Sequence, residues 1–197
     1  MNIKSSLLSI SFIEGASLMG IEILSGKIIA TYYGNSLSVW TTVFVCTLSA
    51  LALGYYFGGV VCKKNVSVKT LAKILSFTTL YLFILPFLSK WAMQLTLPLP
   101  LEIGSLLSVL IFLFPIIFCF ALVSPIIIHL LSNNNEDAGK NSGRVYAIST
   151  LGGIVFSLLT GYQFIPKFGI LISIYIFVFL TLLTVLISIK LKKQNIL

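Results

Sequence analysis

Six long apolar stretches, separated by short polar or turn-forming breaks, dominate the sequence. A membrane-spanning helix needs about 20 mostly apolar residues, and each stretch is long enough. They lie near residues 5–32, 36–61, 70–95, 103–131, 143–166 and 169–190. Because lipid offers no partners to backbone polar groups, each stretch is expected to be an α-helix. The sequence therefore predicts an all-α integral membrane protein, a six-transmembrane-helix bundle forming a single membrane domain over residues 1–197.

Composition supports this prediction and excludes other classes. Hydrophobic residues make up 58% of the chain and charged residues 9%, whereas soluble domains carry roughly a quarter charged residues. The net charge of +8 comes from lysines clustered between apolar stretches, without a basic face interleaved with aromatic residues. We therefore expect the lipid bilayer, and no nucleic acid, as a partner.

The distribution of basic residues predicts the orientation of the bundle. One side receives Lys4, Lys63, Lys64, Lys69, Lys73, Lys140, Arg144, Lys190, Lys192 and Lys193. The other side receives Lys27, Lys90 and Lys167. Because basic residues are enriched in cytoplasmic loops, both termini are predicted to be cytoplasmic, in the cell (inner) membrane.

Small residues recur every four positions in two of the stretches. The second stretch carries Ala50, Gly54 and Gly58, and the fifth carries Ser149, Gly153, Ser157 and Gly161. In membranes, small residues let helix backbones approach closely. Both helices are therefore predicted to pack inside the bundle. In the fourth stretch, Pro115 and Pro125 each remove a backbone donor, which predicts kinks.

Glu14 and Glu22 are the sharpest anomaly, because an acidic side chain at mid-membrane costs about 2.5 to 3.5 kcal/mol on insertion scales. Both are expected to face the bundle interior. Eight residues apart, they are separated by about 12 Å of rise and about 80° around the helix, which suits a cation or proton path. The alternative is that each carboxylate bonds hydroxyls or backbone of neighbouring helices and only fixes the fold.

Two further residues are candidates for ligand or ion binding. His129 follows Pro125 by one turn, where it could relay protons or be structural. Arg144, the only arginine, marks topology or forms a gating ion pair with Glu136 or Asp137.

Catalytic motifs do not emerge from the sequence. No Gly-rich phosphate loop, nucleophile with a nearby base, or metal-ligand spacing is present. The three cysteines, Cys46, Cys62 and Cys119, lie within or beside apolar stretches and are interpreted as small packing residues. We expect no catalytic residues, no cofactor and no metal.

Two segments resemble the membrane domain of fused, membrane-spanning spermidine synthase-like proteins. The first runs from Phe12 to Val61 and the second, beginning GRVYAISTLGG, from Gly143 to Gly169. The family's EGxxxMxxEIL pattern is matched by Glu14, Gly15, Met19, Glu22, Ile23 and Leu24, its YYGxSxxVW turn at Tyr32–Trp40, and its LALGYxxGG ending at Leu51–Gly59.

This resemblance implies half of a major-facilitator transporter, built from two inverted three-helix repeats. Family members commonly continue into a soluble, Rossmann-like aminopropyltransferase domain, whereas this sequence stops at Leu197. The resemblance therefore carries over no aminopropyl transfer, and we expect the chain not to be an enzyme.

Two functions compete at this point. The first is a small-molecule transport or binding module for a polyamine or other organic cation, with Glu14 and Glu22 as interior counter-charges and Pro125 in a flexible helix. Homodimerisation is then expected, since a half-transporter needs a second copy, or a partner membrane or soluble subunit, to enclose a path. The second is a non-catalytic membrane anchor or accessory subunit of a separately encoded soluble enzyme or larger membrane complex. A truncated remnant of a longer gene, or part of a split enzyme, is a third reading.

The predicted orientation is testable with reporter fusions. Alkaline phosphatase fused after Leu99 is expected to be active, because the enzyme folds only outside the cytoplasm, whereas a fusion after Lys140 is expected to be inactive. Green fluorescent protein at the C-terminus is expected to fluoresce. The reversed pattern would show that the lysine clusters do not set the topology.

Overall fold

The computed structural model describes residues 3–63, 66–132 and 135–194. Lys64, one of the lysines behind the predicted orientation, lies outside these ranges. The described helices are α1 Ile3–Tyr33, α2 Leu37–Cys62, α3 Val68–Thr96, α4 Leu101–Phe112, α5 Phe114–Leu131, α6 Asn135–Leu159 and α7 Ile165–Gln194, with a π-helical turn, Thr160–Phe164, between the last two.

These helices make six passes, because α4 and α5 together form one pass interrupted only at Leu113. Between α6 and α7 the chain runs helically through the π turn to Gly169, whose φ of 75° breaks the helix. The rings of Phe156 and Phe177, on either side of this break, lie 6.1 Å apart, so the chain reverses there. Five described stretches are long and apolar enough to cross a membrane. The predicted all-helical, six-pass membrane protein is confirmed.

The reversal between α1 and α2 follows from local sequence. Gly34 ends α1 with a φ of 78°, the left-handed conformation that glycine adopts without steric cost. Ser36 caps α2 by accepting a hydrogen bond from the Val39 amide at 3.4 Å. The Trp40 indole donates to the Asn35 side chain at 2.7 Å and closes the turn.

The first helix lies at the centre of the bundle. In the apolar, membrane-spanning part of α1, 67% of the residues are buried, against 33% in the corresponding parts of α2 and α3. α1 packs chiefly against α6 and α7, α2 against α5, and α3 against α7 and the α4–α5 pass. Exchanging the first three passes with the last three maps the α1–α6 packing onto the α2–α5 packing. The predicted inverted repeats would produce this relation.

The two prolines singled out in the sequence lie in α5, and their surroundings differ. Pro115 sits in the first turn of α5, next to the interruption at Leu113. Its missing N–H leaves the Ile111 carbonyl without its helical donor, and the Tyr81 hydroxyl of α3 donates to that carbonyl at 2.8 Å. Pro125 lies inside α5 and faces Gly58 of α2.

The bond between Tyr81 and Ile111 generates a double-mutant prediction. Tyr81→Phe is expected to lower the free energy of unfolding by about 1 kcal/mol, because interhelical hydrogen bonds in membranes are worth about 0.6 to 1.7 kcal/mol. In a Pro115→Ala background the new amide can serve the Ile111 carbonyl, so the same substitution is expected to cost less. Equilibrium unfolding in mixed micelles measures both. An equal cost in the two backgrounds would contradict this role for Tyr81.

Candidate functional site

A layer of polar side chains crosses the bundle at the level of Glu14. The buried apolar residues form two clusters: α1 contributes Leu7 and Ile10 to one, and Leu18 onward to the other. Between the clusters lie Ser11, Glu14 and Ser17 of α1, Thr78 and Thr79 of α3, and Thr181 and Thr184 of α7, all buried. Polar groups at this depth require hydrogen-bond partners within the protein.

The four threonines named in this layer donate to carbonyls of their own helices. Thr78 and Thr79 donate to carbonyls one turn back in α3, and Thr181 and Thr184 do so in α7. Hydrogen bonds between helices in this layer involve α1, as where the Ser11 hydroxyl donates to the Val145 carbonyl of α6 at 3.0 Å. The polar layer is therefore tied together around α1.

The Glu14 cluster consists of Glu14, Ser124 and Ser149. The Glu14 side chain is 1% exposed. Its Oε2 accepts hydrogen bonds from the hydroxyl of Ser149 in α6 at 2.9 Å and from that of Ser124 in α5 at 3.4 Å. Its Oε1 is buried without a partner among the described residues. One carboxylate oxygen is thus held by two hydroxyls and the other is left unpaired.

Glycines at the α1–α6 contact bring the members of this cluster together. A Cβ at Gly15 would overlap the carbonyl oxygen of Ser149, and a Cβ at Gly152 would overlap that of Phe12. The two backbones therefore approach more closely than any larger residue permits. As a result Ser149 of α6 reaches the carboxylate of α1 directly.

A cavity of about 390 Å³ lies next to the Glu14 cluster; we call it the flank cavity. Its walls come from α1, α2 and α6 and include Leu18, Leu51, Tyr55, Tyr146 and Ser149. The cavity opens on the side of the bundle, where the described backbones of α2 and α6 do not pack against each other.

Two tyrosines span the gap between α2 and α6. The rings of Tyr55 and Tyr146 meet edge to face with centroids 6.0 Å apart, and both lie within electrostatic range of Glu14. The flank cavity therefore combines an aromatic edge, an apolar wall and a hydroxyl bonded to a carboxylate.

The second predicted carboxylate has different neighbours. Glu22 is 8% exposed and lies near Cys46 and Thr47 of α2. Although Thr47 is adjacent, its hydroxyl has no hydrogen-bond partner of ordinary geometry among the described residues. Neither carboxylate lines the flank cavity itself, but Glu14 is joined to its wall by the hydrogen bond from Ser149, and no such link is described for Glu22.

The other two candidate ligand residues lie on the surface. His129 is exposed in the last turn of α5. Arg144 is exposed in α6 next to Val145, whose carbonyl bonds Ser11. Of its predicted partners, Asp137 is exposed, and the side chain of Glu136 is outside the described part of the structure.

The small-residue stripe of α2 faces α5. Ala50, Gly54 and Gly58 are all buried, and Cβ atoms at the two glycines would contact Ala121 and Pro125 respectively. α2 therefore packs closely on the pass that carries both prolines.

The stripe of α6 divides between two environments. Ser149, Gly153 and Ser157 line the flank cavity, and Gly153 also faces Met19 of α1. Gly161 is exposed in the π turn, with no atom near its missing Cβ. Gly152, which the four-residue spacing does not include, makes the closer approach to α1.

No family model, curated protein or solved structure matched this chain when it was compared with them. The resemblance to spermidine synthase-like membrane domains therefore stays a prediction that rests on the sequence motifs. Ser124 and the tyrosine pair were not predicted as site residues. Sequence spacing within one helix cannot show which residues of other helices meet it.

The close α1–α6 contact makes a prediction about glycine substitutions. Gly152→Ala is expected to lower the free energy of unfolding by about 1 to 3 kcal/mol, because overpacking forces a backbone shift. Gly143→Ala in the same helix has open space around it and is expected to change stability by less than about 0.5 kcal/mol. Unfolding in mixed micelles compares the two. Equal effects would contradict the close packing at Gly152.

Proposed function

We propose that this multi-pass membrane protein transports a small organic cation and binds that cation in the flank cavity during transport. The carrying observation is the position of Ser149. Its side chain lines the cavity and also donates a hydrogen bond to the buried Glu14 carboxylate. A ligand in the cavity would therefore lie one hydroxyl away from a carboxylate inside the membrane.

The size and lining of the cavity support a small-molecule ligand. Ligand pockets commonly enclose about 300 to 1,000 Å³ and combine apolar walls with a few polar groups. The flank cavity, at about 390 Å³, is within this range. Its apolar wall includes Leu18, Leu51 and Leu158, and its hydroxyls include Ser149 and Ser157.

The charge of the ligand is inferred from Glu14 and the tyrosines. Ionisable residues within membrane spans usually mark ion or substrate pathways. A carboxylate that served only to join helices would be expected to have both oxygens bonded, yet Oε1 of Glu14 has no described partner. The rings of Tyr55 and Tyr146 add surfaces that attract cations.

A thermal-stability assay on the purified protein tests this proposal. A ligand at 100 times its dissociation constant stabilises the folded state by about 2.7 kcal/mol, so organic amines are expected to raise the melting temperature. Glu14→Gln keeps the side-chain volume, removes the charge, and is expected to abolish the shift. Glu102→Gln makes the same change at an exposed position in α4 and is expected to preserve it.

Two results would count against the proposal. One is the absence of any shift across primary, secondary and quaternary amines with the wild-type protein. The other is an equal shift in wild type and in a correctly folded Glu14→Gln variant, which would place amine binding elsewhere. Uptake of a radiolabelled amine into proteoliposomes then separates transport from binding alone.

A further inference from the structure

The Ser149 hydroxyl has a defined hydrogen-bond polarity. A serine hydroxyl has one hydrogen to donate and two lone pairs to accept with. Ser149 places its hydrogen on Glu14 Oε2 at 2.9 Å. Only its lone pairs are left for a ligand in the flank cavity, and hydrogen-bond chains that end on a carboxylate strengthen the acceptor. The complementary ligand group is an N–H donor, and above all an ammonium.

The rest of the wall of the flank cavity determines how many ammonium groups the ligand can carry. Among the described residues, Glu14 is the carboxylate bonded by a residue of the cavity wall, Ser149, whereas Glu22 lies near Cys46 and Thr47 of α2, which are outside the lining. The remaining wall is largely apolar and includes Leu18, Leu51 and Ile154. A second ammonium in the cavity would find hydroxyls such as that of Ser157 but no second carboxylate bonded to the described lining, so the loss of its hydration would be only partly offset, which is costly.

We infer that the ligand is an amphiphilic primary monoamine, with its ammonium at Ser149 in front of Glu14 and its hydrocarbon body along the apolar wall. This inference rests on the proposed function and narrows its substrate class. It disfavours polyamines, whose several charges need several acidic partners. Ser149 is the contact residue, and Glu14 acts through it as a positioning residue.

A set of matched ligands tests the class. Octylamine, the diamine of the same chain length, and octanol differ only in their end groups. Octylamine is expected to bind at least tenfold more tightly than octanol, because hydrogen bonds to charged groups contribute about 1.5 to 3 kcal/mol. It is also expected to bind at least tenfold more tightly than the diamine, because the second ammonium would lose its hydration without a second carboxylate. From butylamine to octylamine, affinity is expected to rise roughly fourfold for each methylene, the ratio that corresponds to about 0.8 kcal/mol.

Two serine variants in α6 test the contact residue, because one serine lines the cavity and the other does not. Ser149→Ala removes the hydroxyl in the cavity wall and is expected to weaken octylamine binding about tenfold or more. Ser142→Ala removes a hydroxyl that donates to the Ala138 carbonyl of the same helix and does not line the cavity, and it is expected to weaken binding less than threefold. Ratios to wild type in the same detergent cancel the partitioning of the amine into micelles.

The outcomes separate this inference from the proposed function. Tighter binding of the diamine or of spermidine than of octylamine would overturn the monoamine class and leave the cation site standing. Equal losses in the two serine variants would overturn the role of Ser149. Failure of every amine to stabilise the wild-type protein would overturn the proposed function itself. Circular dichroism of each variant confirms that a loss of binding is not a loss of fold.

Discussion

The close approach of α1 and α6 is the contact on which the rest of the site depends. Lipid tails are as apolar as leucine side chains, so helices in a membrane associate through close packing and interhelical hydrogen bonds. Gly15 and Gly152 provide the first by leaving no Cβ between the two backbones. The bonds from Ser149 to Glu14 and from Ser11 to Val145 provide the second. Side chains larger than hydrogen at the two glycines would separate the serines from their partners.

Where the α4–α5 pass of this bundle departs from a regular helix, a neighbouring helix supplies the missing hydrogen-bond donor. A membrane interior tolerates a freed carbonyl only where the protein supplies another donor, and Tyr81 does so for Ile111. A weaker bond joins the same pass to α2, since the Cys46 thiol donates at 3.6 Å to the Val109 carbonyl, which also accepts the Leu113 amide. The interrupted α4–α5 pass is therefore fastened to α3 and α2 near its own break.

Much of the fold could be predicted because lipid imposes strong rules on sequence. Span length and the buried location of Glu14 follow from hydropathy and the cost of a charge in lipid. The partners of Glu14 could not be predicted in this way, because Ser124 and Ser149 come from other helices and depend on how those helices rotate. The four-residue stripe in α6 pointed to Gly153, whereas Gly152 makes the closest approach. A helix turns by about 100° per residue, so two neighbouring glycines point in directions about 100° apart. Which of them faces α1 depends on how the helices pack.

The threonines of the polar layer have a mechanical consequence. Four threonine hydroxyls donate to carbonyls of their own helices, those of Thr78 and Thr79 in α3 and those of Thr181 and Thr184 in α7. Sliding of α3 past α7 at this level would break none of these bonds. By contrast, the same displacement of α1 past α6 would break both serine bonds. At this depth these threonines form no hydrogen bond across the described α3–α7 contact, whereas the two serine bonds hold the α1–α6 contact. Rearrangement of the bundle is therefore expected to occur by sliding of α3 along α7.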